Sequence, residues 1–365
     1  MDNISTPTLL LDEQVCRTNI SRMVRKAEKH QLDFKPHMKT HQSAAIGEWL
    51  REEGVQSITV SSVSMARYFV DHNWEDIAIA FPCNLREADA INDLAAEIRL
   101  TVLINSAETA RQLNRALSHQ VQACIELDIG SGRTGLSPSN TETIRELVHT
   151  IRNETNRIDL VGFYSHPGHS YGARSKQEIL EVHQNTLTQI DSLKEALSDD
   201  WDALEICIGD TPCCSVATDF TGIDAISPGN FIFYDLMQQQ IGSCRTEDIA
   251  VAVACPVVEL FPKRNEMAIY GGAVHFSKEG LQLPETQSDC FGYVAQKATA
   301  GWAVPDRSTF LRKISQEHGI ISCRAEDFNT YSVGDLITIL PVHSCLTANL
   351  LGRFRLQDGQ MISMR

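Results

Sequence analysis

The stretch Phe34–Ser43, FKPHMKTHQS, sets one lysine, Lys39, between two histidines, His37 and His41, directly after a short apolar-alternating run. A lysine on a helix is ordinarily a solvated side chain. A lysine at the C-terminal end of a strand, ringed by His and Thr, is placed as a reactive amine. In a barrel of parallel strands the chemistry sits at those ends and in the loops that follow them. The fold therefore turns on whether this run is the first of a regular series.

It is followed by seven more. After a short N-terminal strand at about Thr8 to Asp12, the strand-like runs are QLDFKPHMK (31–39), SITVSSV (57–63), IAIAF (77–81), RLTVLI (99–104), ACIELDIG (123–130), LVGFYSH (160–166), LEICIGD (204–210) and DAISPG (224–229). They are rich in Ile and Val. Between most of them lie segments such as SAETARQLNRAL and SKQEILEVHQNTLTQIDSLKEAL, whose apolar residues recur at helical spacing. Asn105 with Glu108, and Ser139 with Glu142, have the spacing of an N-cap and a glutamate three residues on, which predicts helix starts there. Eight strands separated by helices predict an α/β fold, a (β/α)8 TIM-type barrel over 13–242. A doubly wound open sheet is the structural alternative; eight evenly spaced units favour the barrel.

After about Gly242 the texture changes. DIAVAVACPVVELF, EMAIYGGAV, YSVGDLITILPV and LLGRFRLQDGQMISM alternate with turns and carry no long helical pattern, which predicts a C-terminal antiparallel β domain over 243–365, joined by the strand in residues 1–12. A chain of 365 residues suits a barrel of roughly 250 residues plus a smaller domain. The net charge is −15, from 32 Lys+Arg against 47 Asp+Glu with no basic cluster, which argues against a nucleic-acid partner. No apolar run is long enough for a membrane span, and the N-terminus has no signal-peptide pattern. Eleven cysteines, an odd number without framework spacing, point to a reducing compartment, the cytoplasm.

The strand ends, taken in order, give Lys39 after the first, Arg133 after the fifth (DIGSGRTGL), Tyr164, His166, His169 and Tyr171 at the sixth (YSHPGHSYG), Thr211 at the seventh (GDTP), and Gly229 with Asn230 at the eighth (SPGN). One amine, one guanidinium, flat rings and loops with available backbone N–H groups suit a phosphorylated aromatic aldehyde bound as a Schiff base. No P-loop or dinucleotide glycine pattern competes.

TPTLLLD, KPHMKTH, GSGRTG, GFYSHPGHSY, GDTP, SPGN and the late PVHSCLTANL, in this order over nearly the whole chain, resemble the alanine-racemase-like (fold type III) enzymes of pyridoxal 5′-phosphate (PLP). The nearer resemblance is to their D-serine dehydratase and D-threonine aldolase branch. It implies that Lys39 carries the cofactor, that Tyr164, Tyr171, Thr211, Gly229 and Asn230 contact it, that His166 packs on its ring and that Arg133 stands near its phenolic oxygen. Racemases of this fold place an arginine before the "PG" of the eighth strand, against the pyridine nitrogen. Ser227 stands there instead, which eases loss of a β-substituent. His343 and Cys345 form an H-x-C pair expected on one face of a strand, a two-ligand Zn²⁺ site with open positions. The resemblance implies H-x-C in the dehydratases and H-x-D in the aldolases, so Cys345 favours dehydration.

Plainer roles stand beside these. His37 and His41 serve as hydrogen-bonded walls, His169 as polar lining, and Arg133 as a partner of Asp128 or another carboxylate. Tyr164 and Tyr171 fill the barrel; Thr211, Gly229 and Asn230 make turns. Cys345 is a buried thiol, and His275, after paired glycines, belongs to a turn or touches substrate. The expected function is a PLP- and zinc-dependent lyase acting on a β-hydroxy D-amino acid, first D-serine. A D-threonine-type aldolase or D-3-hydroxyaspartate dehydratase is the near alternative, and a non-catalytic PLP carrier the distant one. By resemblance the unit is a homodimer with a small-molecule substrate.

Overall fold

The computed structural model describes residues 3–283, 288–298, 301–303 and 307–365. It divides into two compact units: Arg22–Gly229, and the residues up to Ser21 together with Asn230–Arg365.

The first unit holds an eight-stranded parallel sheet. Its strands are β2 (Asp33–Phe34), β3 (Ile58–Val60), β4 (Asp76–Pro82), β5 (Arg99–Leu103), β6 (Val121–Leu127), β7 (Ile158–Ser165), β8 (Glu205–Ile208) and β9 (Ala225–Ile226), in the order β2-β9-β8-β7-β6-β5-β4-β3. The quoted stretch closes this sheet into a barrel. Lys35 N–H and His37 N–H donate to the carbonyls of Ile226 and Pro228, 2.9 Å each, on one side. On the other, Thr59 N–H donates to Pro36 O at 2.9 Å and His37 bridges Thr59 in parallel register. Pro36 has no N–H to lose, so it sits in the closing strand using its carbonyl alone. β2 itself is only two residues long, because the proline shortens the regular ladder while the pairing continues past it.

Helices α1 (Glu13–Lys29), α2 (Ala44–Glu52), α3 (Val63–Val70), α4 (Ala88–Ala95), α5 (Ala107–Ala116), α6 (Thr141–Glu154), α7 (Lys176–Ala196) and α8 (Thr211–Val216) alternate with the strands, and α9 (Leu236–Ile241) follows β9. Two helix starts differ from expectation by one residue. Ser106 caps α5 by accepting Thr109 N–H, and Asn140 precedes α6. Asn105 is engaged elsewhere: its amide donates to buried Glu126 at 2.9 Å. Strand-to-strand fit inside the barrel depends on Gly162, where a Cβ would stand 2.1 Å from Glu205 O. Small inward residues, Ala78 and Ala80 among them, leave a cavity of about 200 Å³ that Lys35, Glu205, Cys124, Cys207 and Tyr164 help to line.

The second unit is built on β1 (Thr8–Leu11), β10 (Val251–Phe261), β11 (Glu266–Tyr270), β12 (Leu281–Gln282), β13 (Asp289–Cys290), β14 (Gly292–Lys297), β15 (Trp302–Ala303), β16 (Phe310–Ile314), β17 (His318–Ser322), β18 (Leu336–Pro341), β19 (Arg353–Arg355) and β20 (Met361–Ser363). The pairings β10-β11-β17-β16-β14-β18-β10 return on themselves, so six antiparallel strands form a closed ring. Closure removes the unpaired edges that an open sheet would expose. β1 pairs antiparallel with β10 and parallel with β19. Two short helices interrupt the strands, α10 (Ala273–Phe276) and α11 (Ser344–Leu351). All eleven cysteines are described and unbridged. Among the described residues, no helix is long and apolar enough to cross a membrane.

Candidate active site

In the barrel unit, Lys39 sits in a single 3₁₀ turn, Met38–Thr40, at the end of the closing strand. Its backbone N–H donates to His37 Nδ1 at 3.3 Å, and its carbonyl accepts from the Gln42 amide at 3.2 Å. The side chain is half-buried while the turn around it is buried. Gly229 packs directly on this turn: a Cβ there would stand 3.0 Å from His37 O and 3.2 Å from the Thr40 hydroxyl.

His37, His166, Arg133 and Lys39 share one electropositive neighbourhood. Burial pushes His166 down to about 3, and the charges of Lys39 and Arg133 add to it. His37 is lowered well below its usual value by burial, then by Lys39, His166 and Arg133. Both imidazoles are therefore neutral. His166 Nδ1 is hydrogen-bonded to Gly209 O, which makes it the protonated nitrogen. Its ring lies 6.0 Å from that of Tyr171, tilted by 34°. The Tyr171 hydroxyl accepts Thr211 N–H at 3.2 Å. Arg133 faces Glu126 at 4.0 Å, with the arginine side chain 55 % exposed and the carboxylate 4 %. Glu126, not Asp128, is its partner. Asp128 instead accepts Gly130 N–H, Gly132 N–H and the Ser131 hydroxyl, which closes the GSG turn.

Tyr164 is buried on β7, with the Ser227 side chain near its hydroxyl. Ser227 in turn donates to the Thr59 hydroxyl at 2.8 Å, and Thr59 to Lys35 O at 2.9 Å. The residue that replaces the expected arginine is thus neutral, buried and part of a hydroxyl chain. Asp210, which the motifs did not single out, caps α8 by accepting Cys213 N–H at 2.8 Å and binds the Ser170 hydroxyl at 2.7 Å. His41 is a wall, as its plainer role had it: burial lowers it to about 3, and its Nδ1 accepts Ser43 N–H at 3.1 Å. His169 is half-buried and packs beside Gly130.

In the β unit, His343 and Cys345 do not share a strand face. β18 ends at Pro341, His343 is the N-cap position of α11 and Cys345 lies in its first turn. The chain leaves the strand at Val342, so the pair is brought together by a strand-to-helix corner rather than by the pleat. The Cys345 sulfur nonetheless lies near enough to His343 to raise its pKa. Glu279, which no sequence signal marked, is bonded to His343 Nδ1. Burial alone would lower His343; the Cys345 sulfur, Asp235 and Glu279 push it up to about 10. Asn230 turns its amide toward Cys345 Sγ, 3.4 Å away. His275 Nδ1 accepts Gly272 N–H at 3.1 Å, which makes it part of the glycine turn. The glycines themselves are required: a Cβ at Gly272 would meet two backbone oxygens at 2.4 Å.

These donor sets fit the groups that the motifs imply. A half-buried amine among neutral imidazoles, a guanidinium with a half-exposed face and a glycine pressed on the amine's turn suit a flat anionic aldehyde. One imidazole and one sulfur converging beside a carboxylate suit a thiophilic divalent ion. Among the described residues no cluster of three or more His, Cys, Asp or Glu side chains is poised around one point.

Residues 11–236 match the model of the alanine racemase N-terminal domain. The chain belongs to that family. It is a family of PLP-dependent enzymes, and residues 250–356 match the putative serine dehydratase domain. The chain is 28 % identical to a D-serine dehydratase of Dictyostelium discoideum, covering 100 % of this chain and 96 % of that one. It is 24 % identical to a D-threo-3-hydroxyaspartate dehydratase of Delftia sp., covering 94 % and 92 %. A D-threonine aldolase of Arthrobacter sp. is 26 % identical over 49 % of this chain and 48 % of its own. With such relatives the chain is an enzyme of the PLP-dependent lyase type. Among solved structures, the Delftia dehydratase superposes with a TM-score of 0.89 at 21 % identity, over 100 % of this chain and 98 % of that one. An alanine racemase of Clostridium difficile gives 0.67 at 13 %, over 99 % and 100 %, so the fold is shared with the racemases as well.

Proposed function

We propose that the protein is a PLP- and zinc-dependent lyase for β-hydroxy D-amino acids, with D-serine, converted to pyruvate and ammonia, as its substrate. The observation that carries this is the His343–Cys345 pair at the start of α11, in a chain whose barrel holds the Lys39 cluster. An amine alone serves many PLP reactions; an imidazole–thiol pair carried by the same chain serves those in which a poor leaving group must depart.

PLP, when bound, accepts the electron pair left on the α-carbon, and a divalent metal draws the electron pair of the departing hydroxyl as a Lewis acid. Lys39 would hold the cofactor through Nζ, and its amine would take the proton from the substrate α-carbon. His166 presents an uncharged ring, because its Nδ1–H is committed to Gly209 O and burial keeps it from gaining a second proton. Arg133 supplies a positive charge to an anionic oxygen, with Glu126 holding it from behind. Tyr164, Tyr171, Thr211, Gly229 and Asn230 would contact the cofactor. Ser227 places no cation beside the pyridine nitrogen. His343 and Cys345 would hold the metal, with Glu279, bonded to His343 Nδ1, orienting the imidazole.

The similarity to a D-threo-3-hydroxyaspartate dehydratase over 94 % of the chain supports a second substrate of the same class. We place the enzyme in the cytoplasm as a homodimer, the compartment supported by eleven cysteines without framework spacing. The test is to incubate the holoprotein with D- and L-serine, threonine and 3-hydroxyaspartate and to identify the keto acid or aldehyde formed. Pyruvate from D-serine, absent with Lys39→Ala, is expected. An aldehyde with glycine as the main products, or turnover of the L-isomers alone, contradicts the assignment.

A further inference from the structure

Asn230 follows the glycine of SPGN, yet its side chain is engaged within the β unit. The residue is 5 % exposed, and its amide nitrogen has three acceptors within reach: Asp235 Oδ2 at 2.7 Å, Ser344 Oγ at 3.0 Å and Cys345 Sγ at 3.4 Å. An amide nitrogen carries two hydrogens. The shortest bond takes one of them to Asp235, and the other points between the serine oxygen and the sulfur. Ser344 does not compete for that hydrogen as a donor. Its own hydroxyl hydrogen goes to Asp235 Oδ2 at 3.2 Å, which turns its lone pairs toward Asn230.

The orientation of the amide is fixed by charge. Flipping it would set Oδ1 against the Asp235 carboxylate, two acceptors at 2.7 Å with no hydrogen between them. Asp235 cannot turn away, because Oδ1 accepts Gln238 N–H at 3.0 Å and Oδ2 accepts Ser344 N–H at 2.9 Å. Asp235 and Ser344 are 1 % and 0 % exposed. Asn230 Oδ1 is buried and has no hydrogen-bond partner among the described residues. That is a cost borne to keep the N–H groups on this side. A neutral thiol is a weak acceptor, whereas a thiolate, the form that ligates metals, is a strong one.

We infer that Asn230 is a positioning residue for the metal pair: its amide N–H, locked by Asp235, holds the Cys345 sulfur at the angle at which it ligates the metal. Glu279 does the same for the imidazole on the other side of the pair. The inference rests on the metal reading of His343 and Cys345 proposed above. Groups that orient a ligand in this way typically cost about 10–100-fold in metal affinity when removed.

The test uses the PLP-loaded protein stripped of metal by chelator and reloaded with Co²⁺, whose thiolate-to-metal charge-transfer band reports the sulfur directly. Competition with a chromophoric chelator gives the Zn²⁺ affinity. Wild type should show the band, and Cys345→Ser should lose it. Asn230→Ala should shift and weaken it, with Zn²⁺ affinity about 10–100-fold lower. Asn230→Ser keeps a polar group in the buried network but is too short to reach the sulfur. It should show the same loss and serves where the alanine variant does not fold. A folded Asn230 variant with wild-type affinity and an unshifted band overturns the inference while leaving the metal site standing. A wild type without a thiolate band overturns the metal reading, and the inference with it.

Discussion

Lys39 is legible in the sequence because its neighbours are restricted: Pro36 ends the regular ladder, and His37 and Thr40 are buried in the turn that carries the amine. Glu279, Asp235 and Ser344 are not legible, since their roles depend on groups distant in the chain meeting in space: Glu279 and His343 are 64 residues apart, Asp235 and Ser344 109. The same cluster predicts an acid sensitivity. His41 and His166 are lowered to about 3 and His37 well below its usual value. In the unfolded chain each takes up a proton near pH 6.5, whereas the folded protein does not. Below pH 6.5 the unfolded state therefore binds more protons, and stability present above that pH is lost as pH falls toward 3. Each buried histidine contributes a slope of about 1.4 kcal/mol per pH unit once its unfolded form is fully charged. Urea midpoints measured between pH 7.5 and 4.5 should fall with acid, and His41→Gln should flatten that fall by one histidine's share. An unchanged slope in that variant means that His41 is not held neutral.

At the scale of elements, the eight strands and their alternation with helices are visible as Ile- and Val-rich runs, and all eight appear in the barrel. What sequence spacing does not resolve is the last residue of each element. Ser106 rather than Asn105 caps α5, because Asn105 is drawn to Glu126; the H-x-C pair lies past the end of β18 because the chain bends into α11 at His343. Both are tertiary demands overriding a local pattern. The closest approach of two elements near the amine is Gly229 on the His37–Thr40 turn. Gly229→Ala should push that turn by a few tenths of an ångström and destabilise the protein by about 1–3 kcal/mol. It should also reduce PLP retained after dialysis, because the displaced turn is the one that carries Lys39. Wild-type midpoint and wild-type retention together would show that the turn yields without cost.

Taken whole, one chain joins two chemistries: a barrel unit with an amine among neutral imidazoles, and a ring-closed β unit with an imidazole and a sulfur at the start of α11. The alanine racemase N-terminal match covers the barrel residues and the putative serine dehydratase match covers residues 250–356. The central claim is that Lys39 moves the α-proton and that the His343–Cys345 pair, through its metal, lets the hydroxyl leave. These steps separate under chelation. Two protein ligands should release the ion to a chelator while the cofactor stays attached to Lys39. The direct measurement is D-serine conversion to pyruvate, alongside exchange of the α-hydrogen with deuterated solvent, before and after metal removal. The account predicts that pyruvate formation stops, α-exchange continues, and added Zn²⁺ restores conversion. Full conversion of D-serine by protein shown to be free of metal would contradict it.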